Sequence, residues 1–218
     1  MKICLRHLLL VTSLFMQTIA VHAEDVPKRV VSLNVCTDQL AILLARPGQL
    51  KSLSFLASDE KSSLLHEEAK HLPHNRGQAE EVFLLKPDLV LAGTFSTRTT
   101  VQMLKRLGFR VEEFVPENSI EEIRANILRM GDLLGSSKKA QSIVAEMDQR
   151  ISKLNIAFSK QVTAAFYYSN SYTAGQGSLI SDIARHAGVR NIADDLGVIG
   201  MAPISLEHLL LAKPSLIV

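Results

Sequence analysis

The sequence predicts an α/β protein made of two Rossmann-like lobes with parallel sheets, joined by a single long helix. Three observations support this prediction. Short β-branched apolar runs alternate with segments of helical period, one long helical stretch interrupts the alternation, and a helix–strand unit recurs after that stretch. With 47% apolar and 21% charged residues in 218, the chain can form packed cores and falls outside the disordered, collagen-like and low-complexity classes.

The first 23 residues have the pattern of an export signal. Lys2 and Arg6 form a basic N-terminal region, and an apolar run at 8–20 follows it. Val21-His22-Ala23 then places small residues at the positions that a signal peptidase recognises. The apolar run is shorter and more polar than a bilayer span of about 20 residues. We therefore expect cleavage after Ala23, with an uncleaved membrane anchor as the alternative.

The charge balance and the cysteine count exclude several classes of protein. Removal of Lys2 and Arg6 leaves 22 basic and 22 acidic residues, whereas a nucleic-acid-binding protein would carry a basic excess. Cys4 lies in the signal, so Cys36 is the one cysteine of the mature chain. An intramolecular disulfide and a cysteine-based zinc site are thereby excluded.

Strands and helices alternate in the first lobe, residues 24–134. We expect strands at 29–33, 50–55, 88–92 and 109–114, and helices at 37–44, 79–85, 97–107 and 119–134. Pro47-Gly48 ends the first helix, and Lys86-Pro87 ends the second because proline pushes the preceding residue out of the α region. The continuous apolar run that follows Asp88 is typical of a strand buried on both faces of a parallel sheet.

A long helical stretch, residues 135–160, separates the two lobes. Within it we expect a helix from about Lys138 to Phe158, with apolar residues at helical spacing: Ile143, Met147, Ile151 and Leu154. Such a helix would be about 30 Å long, the width of a small domain, and could join two lobes. In the second lobe, residues 161–218, we expect strands at 161–168 and 215–218 and helices at 177–187 and 205–212.

A repeat at an offset of 127 residues relates the lobes. Residues 79–91 align without gaps on 206–218, and five of the thirteen positions are identical: Glu80 and Glu207, Leu84 and Leu211, Lys86 and Lys213, Pro87 and Pro214, Leu89 and Leu216. A chance match is the alternative, because helix–strand units are common in α/β folds, but the shared register favours a true repeat. A helix, a strand and a further helix follow this unit in the first lobe. We therefore expect the second lobe, which ends at Val218, to be incomplete and the chain to be truncated at its C-terminus.

These segments resemble the cobalamin and iron-siderophore periplasmic-binding family. The resemblance lies in RVVSLN at 29–34, EEVFLLKPDLVLAG at 80–93, the single interlobe helix, YTAG at 172–175 and LEHLLLAKP at 206–214. Family members are the solute-binding components of ABC importers. The resemblance implies a monomeric periplasmic protein with two lobes, a ligand held in the cleft between them, and an inner-membrane permease dimer as partner.

Loops at the carboxyl ends of the parallel strands are the expected ligand-binding surface, because helix N-termini point their N–H groups there. In the first lobe these loops contain Asn34, Cys36, Thr37, Thr94 and Phe95. The alternative for Cys36 is a small buried apolar residue. The resemblance adds His74 and Arg76; the guanidinium of Arg76 suits the carboxylates of a chelate, with a solvated loop arginine as the alternative.

In the second lobe the corresponding stretch contains Tyr168, Asn170 and Tyr172. Aromatic rings with a polar tip suit a flat ligand of mixed polarity, such as a corrin, a haem or a catecholate. The alternative is that the neighbouring tyrosines only end a strand, with one ring facing the core. The chain contains no tryptophan, which departs from the cobalamin-binding members of the family.

Glu80 and Glu207 occupy equivalent positions in the repeat. Related lobes would carry one such carboxylate each, a pair that suits two arginine pockets on a dimeric permease. The resemblance implies that glutamates at these positions dock the binding protein on its permease. The alternative is an ordinary first-turn glutamate that the helix dipole favours.

No catalytic motif is present: there is no Gly-x-Ser-x-Gly, no His-Glu-x-x-His and no phosphate-binding loop of the Walker type. We therefore expect a receptor, not an enzyme, that binds an iron-siderophore, haem or cobalamin and carries no resident cofactor or metal. One alternative is a receptor for bare zinc or manganese ions that uses His66, His71 and His74. Another is an enzyme or assembly factor related to metallocluster proteins.

Overall fold

The structure, a computed structural model, describes residues 26–96, 98–154 and 161–218. The expected export signal, residues 1–23, lies outside the described residues. In the first lobe the described strands are β1 (Val30–Ser32), β2 (Leu50–Ser54), β3 (His74–Asn75), β4 (Leu89–Gly93) and β5 (Val111–Phe114). The helices are α1 (Val35–Leu44), α2 (His66–Ala69), α3 (Ala79–Leu85), α4 (Arg98–Arg106), α5 (Ile120–Leu133) and α6 (Ser137–Ser152).

All strand pairs of the first-lobe sheet are parallel, which confirms the predicted α/β class. Among the described residues the order is β3-β2-β1-β4-β5, so the chain first adds strands on one side of β1 and then on the other. Loops that leave β1 and β4 diverge at this change of direction. A crevice at the carboxyl ends of the strands is the usual result.

The first-lobe core lies on both faces of β4, as its unbroken apolar sequence predicts. Every residue of β4 is buried. Leu89 and Leu91 pack on one face with residues of α1 and α5, and Val90 packs on the other with Val82 and Leu104. Helices on both faces therefore cover the strand from which one of the candidate loops leaves.

α6 packs on the first lobe and is shorter than predicted. Ala140 is buried against the core cluster of β1, β4 and α5, and Ile143 and Met147 pack beside it. The prediction of a helix to Phe158 is wrong, because the helix ends at Ser152 and the chain turns at Lys153. Packing on α5 stabilises most of the helix, and the last apolar residue of the pattern, Leu154, is exposed. Residues 155–160 lie outside the described residues.

The second lobe combines a parallel sheet with an antiparallel ribbon. Its elements are β6 (Val162–Ala165), β7 (Tyr172–Ala174), α7 (Leu179–His186), β8 (Val189–Asn191), α8 (Ile192–Asp195), β9 (Met201–Pro203), α9 (Leu206–Ala212) and β10 (Leu216–Ile217). In the described part of this lobe the parallel sheet has the order β10-β6-β8, and β7 pairs with β9 in antiparallel fashion. The single strand predicted at 161–168 is wrong in extent. Asn170 and Ser171 have positive φ angles, so the chain turns back after β6 and enters the ribbon.

The structure confirms the repeat. α3 and α9 each span seven residues, and each is closed by a lysine in the left-handed region, Lys86 at φ 45° and ψ 57° and Lys213 at φ 46° and ψ 57°. This conformation is costly for a residue other than glycine, so its recurrence at equivalent positions indicates a shared packing solution. Each helix leads into a strand that pairs in parallel with the first strand of its own lobe, β4 with β1 and β10 with β6.

Candidate ligand-binding site

The first-lobe site is built on the N-terminus of α1. Asn34 caps this helix: its extended backbone places Oδ1 2.9 Å from the backbone N–H of Cys36, which donates to it. The Thr37 hydroxyl donates to the Asn34 carbonyl at 2.9 Å and lies 2.8 Å from the hydroxyl of Ser32. Thr37 is buried, so its hydroxyl holds the loop in place, whereas Cys36 is exposed.

The loop after β4 closes the other side of this site. Gly93 approaches Asn34 so closely that a Cβ on the glycine would lie 3.0 Å from Asn34 Nδ2. The backbone N–H of Gly93 donates to the Ser96 hydroxyl at 2.9 Å, which tightens the turn. Phe95 lies at its tip and is 78% exposed. The turn therefore presents an aromatic ring to solvent beside the α1 N-terminus.

Together these loops line a shallow pocket of about 50 Å³. Its lining residues are Asn34, Cys36, Thr37, Leu40, Gly93, Thr94, Phe95, Phe114, Val115, Pro116 and Glu117. Pockets that enclose small-molecule ligands usually measure about 300 Å³ or more. This pocket by itself is therefore too small to enclose such a ligand.

Sequence reasoning missed the contribution of the chain after β5. Val115 and Glu117 line the pocket because β5 lies next to β4 in the sheet. The rule that found the loops after β1 and β4 applies equally to β5, so the signal was available once the strand order was known.

Two acidic side chains, Asp38 and Glu117, act on the Cys36 thiol of the pocket. Burial raises the pKa of the Asp38 carboxyl from its ordinary 3.8 to about 6, although Ser54 donates to it from both its backbone N–H and its hydroxyl. Although Cys36 as a whole residue is exposed, the surrounding protein removes part of the water from its sulfur, which raises the pKa of the thiol; the Glu117 and Asp38 carboxylates add to that increase. Cys36 therefore lies in an environment that opposes formation of the thiolate.

His74 and Arg76 lie at the β3 edge of the sheet. Both are exposed, and β2 and β1 separate their strand, β3, from β4. Between them, Asn75 is buried and donates to the Ser32 carbonyl at 3.0 Å and the Leu53 carbonyl at 2.9 Å, which fixes the loop. Neither His74 nor Arg76 lines the pocket beside Asn34.

Of the second-lobe candidates, Tyr168 and Asn170 lie on the turn between β6 and β7, and Tyr172 is the first residue of β7. The backbone N–H of Tyr168 donates to the Tyr172 carbonyl at 2.8 Å, and the Tyr167 hydroxyl donates to Ser171 at 2.9 Å. Tyr168, Asn170 and Tyr172 are exposed. Among the hydrogen bonds, ion pairs and pocket linings of the described residues, none joins these three to the first-lobe pocket. The structure thus brings Asn34, Cys36, Thr37, Thr94 and Phe95 together and leaves the three second-lobe residues outside that group.

A contact between the lobes was not predicted. The backbone N–H of Ile120, in the first turn of α5, donates at 2.8 Å to the carboxylate of Asp182 on α7. Burial acts to raise the pKa of Asp182, but hydrogen bonds from Ile120 and Arg185 outweigh it and lower that pKa. A negative charge at a helix N-terminus is stabilising, so this contact fastens α7 to α5. Ile120 and Asp182 are 62 residues apart, and no local pattern signals the pair.

Glu80 and Glu207 are exposed in the first turns of α3 and α9. The backbone N–H of Glu207 and the Ser205 side chain hydrogen-bond the Glu207 carboxylate and lower its pKa. Both carboxylates are therefore available to a partner.

The three histidines named for a bare metal ion, His66, His71 and His74, do not form a metal-binding group among the described residues. Within the described ranges, no three His, Cys, Asp or Glu side chains lie close enough to hold a metal ion. His66 instead lies 3.1 Å from the Ser63 carbonyl through Nδ1 and 3.2 Å from the Glu67 carboxylate through Nε2.

Among all the residues that the structure describes, no helix is long and apolar enough to cross a membrane.

The fold and the site together define a class of protein. It is a two-lobe α/β protein with a repeated helix–strand unit, and its exposed loops at the carboxyl ends of parallel strands are where such folds bind ligands. The family model described as "Periplasmic binding protein" matches residues 30–218. The chain belongs to the periplasmic binding protein family.

Curated relatives and solved structures agree with this assignment. The chain is 26% identical over 198 residues to the cobalamin-binding proteins of two strains of Halobacterium salinarum, an alignment that covers 89% of this chain and 54% of each relative. The chain thus spans about half the length of the curated relatives it matches.

Three solved structures share the fold. A possible iron-binding periplasmic solute-binding protein of Staphylococcus epidermidis matches with a TM-score of 0.78 and 22% identity over 88% of this chain and 76% of that one. The periplasmic haem-binding protein RhuT of a Roseiflexus species matches with a TM-score of 0.71 and 20% identity over 87% and 75%. The periplasmic vitamin B12-binding protein BtuF of Vibrio cholerae matches with a TM-score of 0.65 and 23% identity over 88% and 76%.

Proposed function

We propose that the chain is the periplasmic solute-binding component of an ABC importer. It captures a metal chelate, which is an iron-siderophore, haem or cobalamin, between its lobes and delivers it to an inner-membrane permease dimer. The observation that carries this proposal is the family match, which runs through both lobes, from Val30 to Val218. Such a function needs binding, closure and docking but no chemical step, and it agrees with the lack of a catalytic motif in the sequence.

The first-lobe surface supports a ligand that is shared between two walls. Its pocket of about 50 Å³ is far too small to enclose a chelate. Phe95 offers an exposed ring above that pocket, and the second lobe offers two exposed tyrosines, Tyr168 and Tyr172. Flat rings on both sides suit a flat ligand of mixed polarity.

The names of the relatives favour a metal chelate as the ligand but do not distinguish an iron-siderophore, haem and cobalamin. The curated relatives are named for cobalamin, and the solved structures are named for iron, haem and vitamin B12. All are metal chelates or the metal they carry. We therefore propose the chelate class as the ligand of this chain.

Calorimetric titration tests the ligand. Haemin, cyanocobalamin and a ferric tris-catecholate are titrated into the protein, with zinc and manganese chlorides in parallel. We expect saturable binding of one chelate at one equivalent and no binding of either free ion. Tyrosine fluorescence gives a second readout for cyanocobalamin and the catecholate, because all three tyrosines lie between 167 and 172 and there is no tryptophan. Binding of a free ion alone, or of no chelate, overturns the proposal.

Two variants separate the ligand surface from an ordinary exposed ring. Phe95→Ala removes the ring at the pocket, and Phe83→Ala removes a half-exposed ring on α3, away from the pocket lining. We expect a loss of chelate affinity of about tenfold for Phe95→Ala and of less than about twofold for Phe83→Ala. Equal losses in both variants would contradict the assigned site.

Charge reversal tests delivery to the permease. Glu80→Arg combined with Glu207→Arg should abolish chelate uptake by cells and leave chelate affinity unchanged, because both side chains are exposed and lie outside the pocket lining. Glu60→Arg with Glu121→Arg is the matched control, since it makes the same change of charge at two other exposed glutamates. Normal uptake by the Glu80 and Glu207 double variant would defeat the docking role.

A further inference from the structure

A hydrogen bond between α5 and α7 joins the two lobes close to the point where the chain passes between them. In sequence order this passage follows α6. Because only a turn at 134–136 separates α5 from α6, the two helices run antiparallel, and the start of α5 lies near the end of α6. Arg124 and Asp148, paired at 2.7 Å, join these ends. The hydrogen bond from Ile120 to Asp182 is therefore on the side of the first lobe from which the chain leaves.

The hydrophobic clusters of the described residues do not join the lobes. Each cluster belongs to a single lobe, three to the first and one to the second. Beside the contact between Ile120 and Asp182 the lobes instead border an open polar groove of about 270 Å³. The first lobe lines this groove with Asn118 and Ser119, and the second lobe lines it with polar residues of α7 and of the loops beside it. At such a junction, directed polar contacts determine how the lobes are oriented.

The N-terminus of α5 is satisfied by residues of both lobes. Within the first lobe, the Ser119 hydroxyl accepts from the backbone N–H of Glu122 at 3.1 Å. From the second lobe, Oδ2 of Asp182 accepts from the backbone N–H of Ile120 at 2.8 Å. The other oxygen of Asp182 accepts from Arg185, and the side chain is only 15% exposed, so the carboxylate is held in place. The start of α5 is thus a point at which the second lobe is fixed to the first.

We propose that Asp182 is a positioning residue that fixes the angle between the lobes through its hydrogen bond to the N-terminus of α5. It thereby keeps the first-lobe pocket beside Asn34 and the exposed tyrosines of the second lobe at a constant spacing. The inference rests on the proposed function, in which a chelate bridges these two surfaces. Lobes that are already held at the binding geometry lose less conformational freedom when the chelate binds, so the contact increases affinity.

Replacement of Ile120 tests the hydrogen bond from the donor side. Ile120 is the first residue of α5, a position that proline commonly occupies in helices. Ser119 before it has φ −150° and ψ 159°, the extended backbone that a residue preceding proline prefers. Ile120→Pro therefore deletes the N–H donor while the helix can still form. Ile120→Ala is the matched control, because it also shortens the side chain but keeps the N–H.

Replacement of Asp182 tests the same bond from the acceptor side. Asp182→Ala removes both carboxylate oxygens, whereas Asp182→Asn keeps an oxygen that can accept from the Ile120 N–H. Arg185→Ala removes only the ion pair within α7. Asp195→Ala is the matched control for the lost charge, since it deletes a carboxylate that pairs with Arg190 in the same lobe.

Double electron–electron resonance measures the distance between the lobes without any ligand. Nitroxide labels are attached to Gln102→Cys on α4 and Leu211→Cys on α9, two exposed positions, in mature protein that carries Cys36→Ser. We expect Asp182→Ala and Ile120→Pro each to widen the distance distribution at least about twofold. The three variants that keep the interlobe bond intact should leave the width unchanged, and Asp182→Asn should give an intermediate width. Asp182→Ala combined with Ile120→Pro should widen it no further, because both replacements break the same bond.

Chelate affinity provides the second readout. Haemin, cyanocobalamin and a ferric tris-catecholate are titrated into each variant by calorimetry. The chelate that binds the wild-type protein should bind Asp182→Ala and Ile120→Pro about three- to tenfold more weakly, and Ile120→Ala less than about twofold more weakly. A residue that only stabilised the fold would lower the urea midpoint and leave both the distance distribution and the affinity unchanged.

The outcomes separate this inference from the function on which it rests. An unchanged distance distribution in Asp182→Ala or in Ile120→Pro overturns the positioning role, and so does equal widening in Ile120→Ala and Ile120→Pro. Wider distributions with unchanged chelate affinity overturn the claim that the contact serves binding. If the distributions widen as expected but the wild-type protein binds none of the chelates, the proposed function is overturned while the role of Asp182 in holding the lobes stands.

Discussion

We predict that the stability of the folded protein depends on pH through the side chain of Asp38. Its side chain is fully buried in the first turn of α1, where Ser54 donates to the carboxylate from its backbone N–H at 3.1 Å and from its hydroxyl. Burial raises the pKa of this carboxyl from 3.8 to about 6 in the folded protein. The folded state therefore holds the proton more tightly than the unfolded chain does.

The sign and the size of the effect follow from this difference. Between about pH 4 and pH 6 the unfolded chain has released the proton while the folded protein still holds it, so stability falls as the pH rises through that range. A pKa difference of about two units corresponds to about 3 kcal/mol, because each unit contributes about 1.4 kcal/mol. Above about pH 6 the carboxyl is ionised in both the folded and the unfolded state, so the contribution of Asp38 to the free energy of unfolding no longer changes with pH.

Asp38→Asn should abolish the fall in stability between about pH 4 and pH 6, because the amide does not titrate. The amide resembles the neutral carboxyl and keeps an oxygen that can accept from the Ser54 N–H. Urea unfolding of both proteins is followed by circular dichroism at about pH 4 and about pH 7.5. We expect the stability of the variant relative to wild type to increase by about 2–3 kcal/mol between the two pH values. Comparing the two proteins cancels the titration of all other groups.

Asp59→Asn provides the control for this experiment. Asp59 is a surface carboxyl whose pKa is lowered, mainly by the hydrogen bond from the Ser62 hydroxyl, so it titrates below the pH range measured. The stability of Asp59→Asn relative to wild type should therefore be nearly the same at both pH values. A difference near zero for Asp38→Asn, or one of opposite sign, would refute the argument that burial dominates at this site.

Two further predictions concern packing and reactivity. Gly131→Ala should lower the free energy of unfolding, measured with urea, by about 1–3 kcal/mol. The reason is that the new Cβ would lie 2.3 Å from the Cβ of Ala140, where α5 meets α6. Adding Ala140→Gly to this variant should restore part of the lost stability. Cys36 should react with iodoacetamide more slowly than free cysteine at about pH 7.5, as followed by mass spectrometry, because partial burial raises its pKa. Glu117→Gln should accelerate that reaction and a bound chelate should slow it, and an unchanged rate in both cases would count against this view of the pocket.

Much of the fold was predictable because its signals are local. Lys86-Pro87 marks the end of α3 at the residue where the structure has it, and the unbroken apolar run after Asp88 is buried throughout β4. The end of α6 was not predictable, because helical periodicity continues to Leu154 while the stabilising contact with α5 does not.

The candidate site was predictable in part. The rule for carboxyl ends of parallel strands found Asn34, Thr94 and Phe95, which line one pocket. It did not find Val115, because the neighbour of β4 is known only from the order of the strands. It also did not indicate that Thr37 is buried, since that depends on the Ser32 hydroxyl beside it.

The sequence by itself determined the longer helices and strands of the first lobe and the relation between the two lobes, but it did not predict the short elements α2, β3, β7, β8, α8 and β9. Periodicity, proline and glycine act through the few residues around them, and a repeat is visible wherever two segments share a register. Only the tertiary structure decided that α6 packs on the first lobe, that Asp182 caps α5, and that Leu84 and Leu211 remain exposed. These features depend on which distant segments meet, and contacts across 60 or more residues leave no pattern in the segments that make them.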